Sequence, residues 1–270
     1  MHLLLPPSEG KTAPTEGPTL DLGRLSFPEL NRARGKVLSA LLEVSRGEDA
    51  AKILKVGKKG MAEVISQRDL PGMPCARARQ IYTGVLYDAA ALREGDDVLI
   101  FSGLFGVTRG EDLIPAYRLS MNVSLPGIGT LKTFWRKALA GWSPDGGSAG
   151  KPGIFKQADT DKVMGARANQ QTSESDASDN ADITVDLRSE LYRVTKSDPS
   201  KANAQWWDVR IADSRNKTIS HMAKHYRGLL TRALLDAPTR PVAEVARTLG
   251  TVAIETESDV RHLTLVPFGL

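Results

Sequence analysis

Residues 99–121 read LIFSGLFGVTRGEDLIPAYRLSM, and this stretch decides the fold. The run Val98 to Phe101 is apolar at every position, the pattern of a strand buried on both faces. In α/β sheets such strands deliver the residues after their C-terminal ends to a cleft. The residues after this one are rich in binding groups. Ser102, Arg109, Asp112, Tyr117 and Arg118 supply hydroxyls, a carboxylate and two fixed cations, and Gly103 and Gly106 allow close backbone approach. The same residues also fit a plainer arrangement of strand, turn and structural Arg-Asp pair, and composition alone leaves both open.

Outward from this strand, His2 to Leu5 is a second short buried strand, ended by Pro6-Pro7, and residues 13–27 form a loop punctuated by Pro and Gly. A helical flank follows over 28–70: Leu30, Val37, Leu38, Leu41 and Leu42 trace one apolar stripe, Ala50, Ile53 and Leu54 a second, and Met61, Val64 and Ile65 a third. Further helices are expected over Gln80 to Leu92, Thr130 to Ala138, Ile219 to Leu235 and Pro241 to Leu249. Further strands are expected at Ile183 to Asp186, Trp206 to Ala212, Val252 to Glu255 and His262 to Val266, with a short helix bearing Tyr192. Strands and helices alternate, so the class is α/β: a single domain over 1–270 with a central mixed sheet flanked by helices. Residues 143–182 break the pattern. Their Gly, Ser, Asp, Gln and Asn content cannot repay the entropy of ordering, and a flexible low-complexity insertion is expected there.

With 270 residues, 41% of them hydrophobic, the chain can bury a full core. No run reaches the roughly 18 consecutive apolar residues of a membrane helix, and no signal peptide precedes Pro6-Pro7, so a soluble cytoplasmic protein is expected. One cysteine excludes an internal disulfide framework and any all-cysteine metal site. That residue, Cys75, precedes an expected helix with Arg77 and Arg79, a setting that lowers a thiol pKa, although lone cysteines are mostly inert. The net charge of +4 conceals an asymmetry: 143–182 holds seven Asp/Glu and four Lys/Arg, leaving 32 basic against 25 acidic residues elsewhere, a net of +7. Within 31–68, nine basic residues face four acidic ones, which suits an anionic partner such as nucleic acid, or else a solvated helical face.

Three motifs carry candidate chemistry. Gly10-Lys11-Thr12 is not the end of a phosphate-binding P-loop, because Leu5 stands where that loop needs glycine and Pro14 and Pro18 forbid the following helix. Lys11 is nonetheless delivered to a loop by a short strand, beside Ser8 and Glu9. Second, Lys52, Lys55 and Lys59 fall on one helical face with Lys58 beside them, and Val56 to Gly60 separates two helices in the manner of a helix-hairpin-helix, whose amides take DNA phosphates without reading sequence. Third, Lys224 and Arg227 lie side by side on one helix, where two cations repel unless an anion or a structural carboxylate lies near. His221 and His225 on that helix have metal-sharing spacing but no adjacent carboxylate, so no metal is expected.

Together the motifs resemble the YaaA family of peroxide-stress proteins. The resemblance lies in Tyr82-x-Gly84-x-x-Tyr87, SGLFG at 102–106 with Phe105 where the family usually has Tyr, Arg109, Asp112, PAYRLSM at 115–121 and Phe134-Trp135. It extends to LLPPSEGKT at the start, DLRSELY at 186–192 and AKHYRGLLTR at 223–232, nearly the full length. The resemblance implies a DNA-binding protein that limits peroxide and iron damage to DNA; the +7 excess and the lysine face at 52–59 predict weak binding to duplex DNA with little sequence preference, and no cofactor is expected. It draws Lys11, Lys224, Arg227 and Arg232 into the site with Arg109 and Arg118. The competing expectation is an enzyme acting on a nucleotide or nucleic-acid base, with Ser102, Asp112, Tyr117 and Arg118 at the sheet edge and Lys11 opposite.

Overall fold

Val98 to Phe101 are sealed from solvent, and they form part of the second strand of a seven-stranded mixed sheet. The computed structural model describes residues 1–144, 183–195, 205–215, 217 and 220–269, excepting the side chains of Ser220 and His221. Its strands are β1 (His2–Leu5), β2 (Val98–Ser102), β3 (Gly106–Arg109), β4 (Ile183–Asp186), β5 (Gln205–Ile211), β6 (Gly250–Glu257) and β7 (Val260–Pro267). Their order is β6-β7-β5-β4-β1-β2-β3. The middle strands are parallel, with Leu3 of β1 opposite Val98 on one side and Val185 on the other. An antiparallel hairpin closes each edge. Among the described residues the α-helices longer than one turn are α1 (Asn31–Arg46), α2 (Met61–Ser66), α3 (Val85–Ala90), α4 (Leu131–Ala138), α5 (Ser220–Asp236) and α6 (Val242–Arg247). The expected α/β class and central mixed sheet are what the chain adopts, with two small two-stranded sheets beside it.

Several local expectations change. The helix expected over Gln80 to Leu92 is two pieces, Ala78–Ile81 and α3, because Tyr82 leaves the helix to bridge Lys11 and Gly84 adopts a positive φ of 96°. The helix-hairpin-helix is not confirmed: before the turn stands only Ala50–Ile53, Lys55 has a left-handed backbone, and Lys58–Gly60 is a 3-10 turn leading into α2. On α5 hydrophobic spacing predicts a core stripe of Ile219, Met222, Tyr226, Leu229, Leu230 and Ala233. Leu230 is buried as expected, but Met222, Tyr226, Leu229 and Ala233 are half-buried and Ile219 lies outside the described residues, while Ala223, Thr231 and Leu234 are buried beside Leu230, a rotation of the face. Gly228 explains the rotation. A β-carbon there would lie 2.2 Å from the Leu86 carbonyl, so the bare backbone of α5 packs directly on α3. Of the expected insertion, residues 145–182 lie outside the described residues, while Ser143 and Pro144 are buried.

Trp135 of α4 is fully buried over the β2–β3 turn and donates its indole N–H to the Gly103 carbonyl at 2.8 Å. Gly106, with φ 72°, lies under its ring, where a β-carbon would come within 2.5 Å. The Ser-Gly-Leu-Phe-Gly segment is thus a fitted corner that fixes where β2 releases the chain. Cys75 is buried, and desolvation pushes its thiol up to about 11, which overturns the expectation of a lowered pKa.

Candidate functional site

The chain passes from β1 to β2 on one side and later to β4 on the other, so the crevice beyond the C-terminal ends of these strands is a topological switch point. Pro6-Pro7 ends β1, and Ser8 to Lys11 fold back onto residues 81–83: Thr12 N–H donates to the Ile81 carbonyl at 2.9 Å and Thr83 N–H to Ser8 Oγ at 3.0 Å. This carries the Lys11 amine to 4.6 Å from the Tyr117 ring centre and 5.4 Å from that of Tyr82, where it donates to the Ser8 carbonyl at 2.8 Å. The two phenols share a 2.8 Å hydrogen bond, and the Ser102 hydroxyl at the end of β2 lies against both. Burial raises both tyrosine pKa values, so the phenols stay neutral donors.

A small cavity of about 100 Å³ opens beside this cluster, lined by Ser8, Glu9, Lys11, Lys55, Arg118, Asn122 and Tyr192 among others. Arg118 is held by its backbone N–H on Gln67 Oε1 at 2.8 Å, and its guanidinium faces Glu63 at 3.4 Å and Glu9 at 3.7 Å. Burial first, and then the Arg118 charge, lower the Lys11 pKa to about 8, against the opposing pull of Glu63 and Glu9. Lys55 reaches across to the Asn122 carbonyl at 2.8 Å, and Lys52, Lys58 and Lys59 are exposed on the same segment.

The structure therefore brings together Lys11, Ser102, Tyr117, Arg118 and Lys55. It places the other candidates elsewhere. Asp112, only 7% exposed, accepts from Arg109 N–H at 2.9 Å and from the N–H and hydroxyl of Ser26 at 3.0 and 2.8 Å, which ties down the 13–27 loop. The Arg109 guanidinium pairs with Asp97, not Asp112. Arg232 pairs with Asp96 at 2.7 Å and Asp236 at 2.9 Å, joining α5 to the loop before β2. Lys224 and Arg227 line a second cavity, of about 700 Å³, that shares no lining residue with the first.

These partners predict a contrast in stability. Asp112→Ala strips a buried carboxylate from three donors and is expected to cost about 3 kcal/mol, whereas Arg118→Ala breaks only part-exposed pairs and is expected to cost under about 1 kcal/mol. Urea unfolding of both variants measures the difference, and equal losses would make Arg118 part of the scaffold.

Several participants escaped sequence reasoning as site residues. Glu9 and Tyr192 line the crevice, though both sit in segments carrying the family resemblance, which was the available signal. The fully buried Arg188 lies in the same 186–192 segment as Tyr192 and shared its signal, whereas the fully buried Arg34 gave none, nor did Arg193 and Asp208, which meet only through the fold. Of the two spaced histidines, the side chain of His221 lies outside the described residues.

A family model described as peroxide stress protein YaaA matches residues 1–145. A UPF0246 protein of Streptomyces coelicolor is 33% identical over 273 residues, covering 96% of this chain and 93% of its own. One from Corynebacterium efficiens is 34% identical over 283 residues, covering 98% of this chain and all of its own. With the matched segment holding β1, β2, β3 and the whole Lys11-Tyr82-Ser102-Tyr117-Arg118 cluster, the chain belongs to the family of the peroxide stress protein YaaA.

Proposed function

We propose that this protein acts in the cytoplasm during peroxide stress by binding duplex DNA with little sequence preference, and that it thereby limits peroxide and iron damage to the DNA. The observation that carries the reading is the double position of Lys55, which belongs to the exposed lysine edge 52–59 and also lines the crevice that holds Lys11 and Arg118. Phosphates along that edge meet Lys52, Lys55, Lys58 and Lys59, and the crevice behind accepts a phosphate. No helix among the described residues is long and apolar enough to cross a membrane.

Titration of labelled duplex at two salt concentrations tests this. Affinity is expected to fall by roughly a thousandfold between about 50 and 200 mM salt if about six phosphates are met. Lys58→Gln with Lys59→Gln is expected to lower the salt slope by about 2. Affinity indifferent to salt, or absent at low salt, removes the reading.

A second reading, an enzyme acting on a nucleotide or nucleic-acid base, is favoured by the Lys11 amine, whose pKa near 8 makes it available for proton transfer beside two neutral phenols. Turnover would then follow Lys11 ionisation near pH 8 and disappear in Lys11→Met, with duplex affinity retained.

A further inference from the structure

The larger cavity has a charge arrangement that the crevice does not explain. Its cations are Arg193, Arg210, Lys224 and Arg227, of which Arg210 has a partner of its own, and its carboxylates are Glu190, Asp208, Glu255 and Glu257. Arg193 and Asp208 answer one another, with Arg193 Nη1 donating to Asp208 Oδ2 at 2.7 Å. Arg227 is not answered: its Nε is buried with no hydrogen-bond partner among the described residues. The acids nearest in charge are Asp186 and Asp208, and these are committed to Arg188 and Arg193. Lys224, one turn earlier on α5, is exposed and pairs with no carboxylate among the described residues.

A desolvated guanidinium with an unmade hydrogen bond is costly, and an anion arriving at it recovers a charge-assisted, forked contact. We propose that this cavity binds a small ligand through one anionic group, phosphoryl or carboxylate, held between Arg227 and Lys224. The volume of about 700 Å³ suits a metabolite-sized molecule. The remainder of the ligand meets Glu255, Glu257 and His262, so it carries hydroxyl or amino donors. Those same carboxylates repel a nucleic-acid strand, which bears a charge at every nucleotide. The site is therefore independent of the DNA reading and stands or falls separately from it.

Calorimetric titration with inorganic phosphate and with acetate, at constant ionic strength, tests the proposal. Saturable binding of at least one anion is expected, and whichever binds tighter identifies the group. Arg227→Gln should weaken it at least tenfold and Lys224→Gln severalfold, while Lys137→Gln, an exposed change on α4, leaves it unaltered. Because Lys224 is exposed, its variant keeps the test valid even if Arg227→Gln fails to fold. Absence of saturable binding to both anions, or equal weakening by all three substitutions, overturns the proposal.

Discussion

Asp186→Asn is expected to destabilise the protein by roughly 3–5 kcal/mol, because it leaves a fully buried charge uncompensated. Arg188 has no exposed surface, and Asp186 receives it in a fork: Nε on Oδ1 at 2.8 Å and Nη2 on Oδ2 at 2.7 Å, with the Arg188 backbone N–H also on Oδ1 at 3.0 Å. The guanidinium lies 4.1 Å from the Phe101 ring centre of β2 and donates to Thr195 Oγ1 at 3.0 Å. The pair thus locks β4 and its following turn, with Tyr192, against the strand that carries Ser102. Asparagine offers one acceptor oxygen and no charge, so the fork is lost. Urea unfolding with an unchanged m value measures the loss. Asp186→Leu combined with Arg188→Met should recover most of it, since removing both charges abolishes the desolvation problem. A double variant as weak as the single one would contradict this account.

Arg34→Met is expected to be comparably damaging, costing about 3–5 kcal/mol. Arg34 sits on the inward stripe of α1 and spends its donors on carbonyls: Phe105 at 3.0 Å, Val107 at 2.7 Å, Ser26 at 2.8 Å and Phe27 at 3.3 Å, with Asn31 Oδ1 at 2.8 Å. Burial lowers its pKa to about 10, opposed by Asp112 and Glu29, so it stays charged at neutral pH. Methionine fills the space yet leaves these acceptors without donors. Arg34→Lys should rescue little, because one ammonium cannot reach acceptors spread over a planar fork. Thermal and urea unfolding of both variants decide the matter; a loss below about 1 kcal/mol in the methionine variant would show that water replaces the guanidinium.

Strand β2 was legible because every residue of its Val98 to Phe101 run is apolar, and β1 because two prolines end an equally apolar run. The hairpin β6–β7 was seen only in its middle, since its edge strand carries Glu255 and Glu257 and is largely exposed. The face of α5 was misjudged because hydrophobic spacing cannot show that Gly228 presses its backbone onto α3. Within the site, Lys11, Ser102, Tyr117 and Arg118 were recognisable as chemistry and do converge. The roles of Asp112, Arg109 and Arg232 were not legible, because their partners Ser26, Asp97 and Asp96 become partners only through tertiary folding. Arg34 was hidden for the opposite reason: it is a charged residue on an apolar stripe, where the hydrophobic pattern draws attention to its neighbours.

The central position of β1 sets an order on biosynthesis. Residues 2–4 are synthesised well before their partners, and one side of them is completed only by residues 184–186. Until then the strand can close with residues 98–100 alone, and its other edge offers free backbone amides and carbonyls between leucines. A truncated chain ending near residue 145, the limit of the family-model match, holds the whole Lys11 crevice cluster except Tyr192 but keeps that edge open. Such a fragment should recruit another strand in trans, so nascent chains of this protein spend the synthesis of residues 101–183 in need of protection from one another.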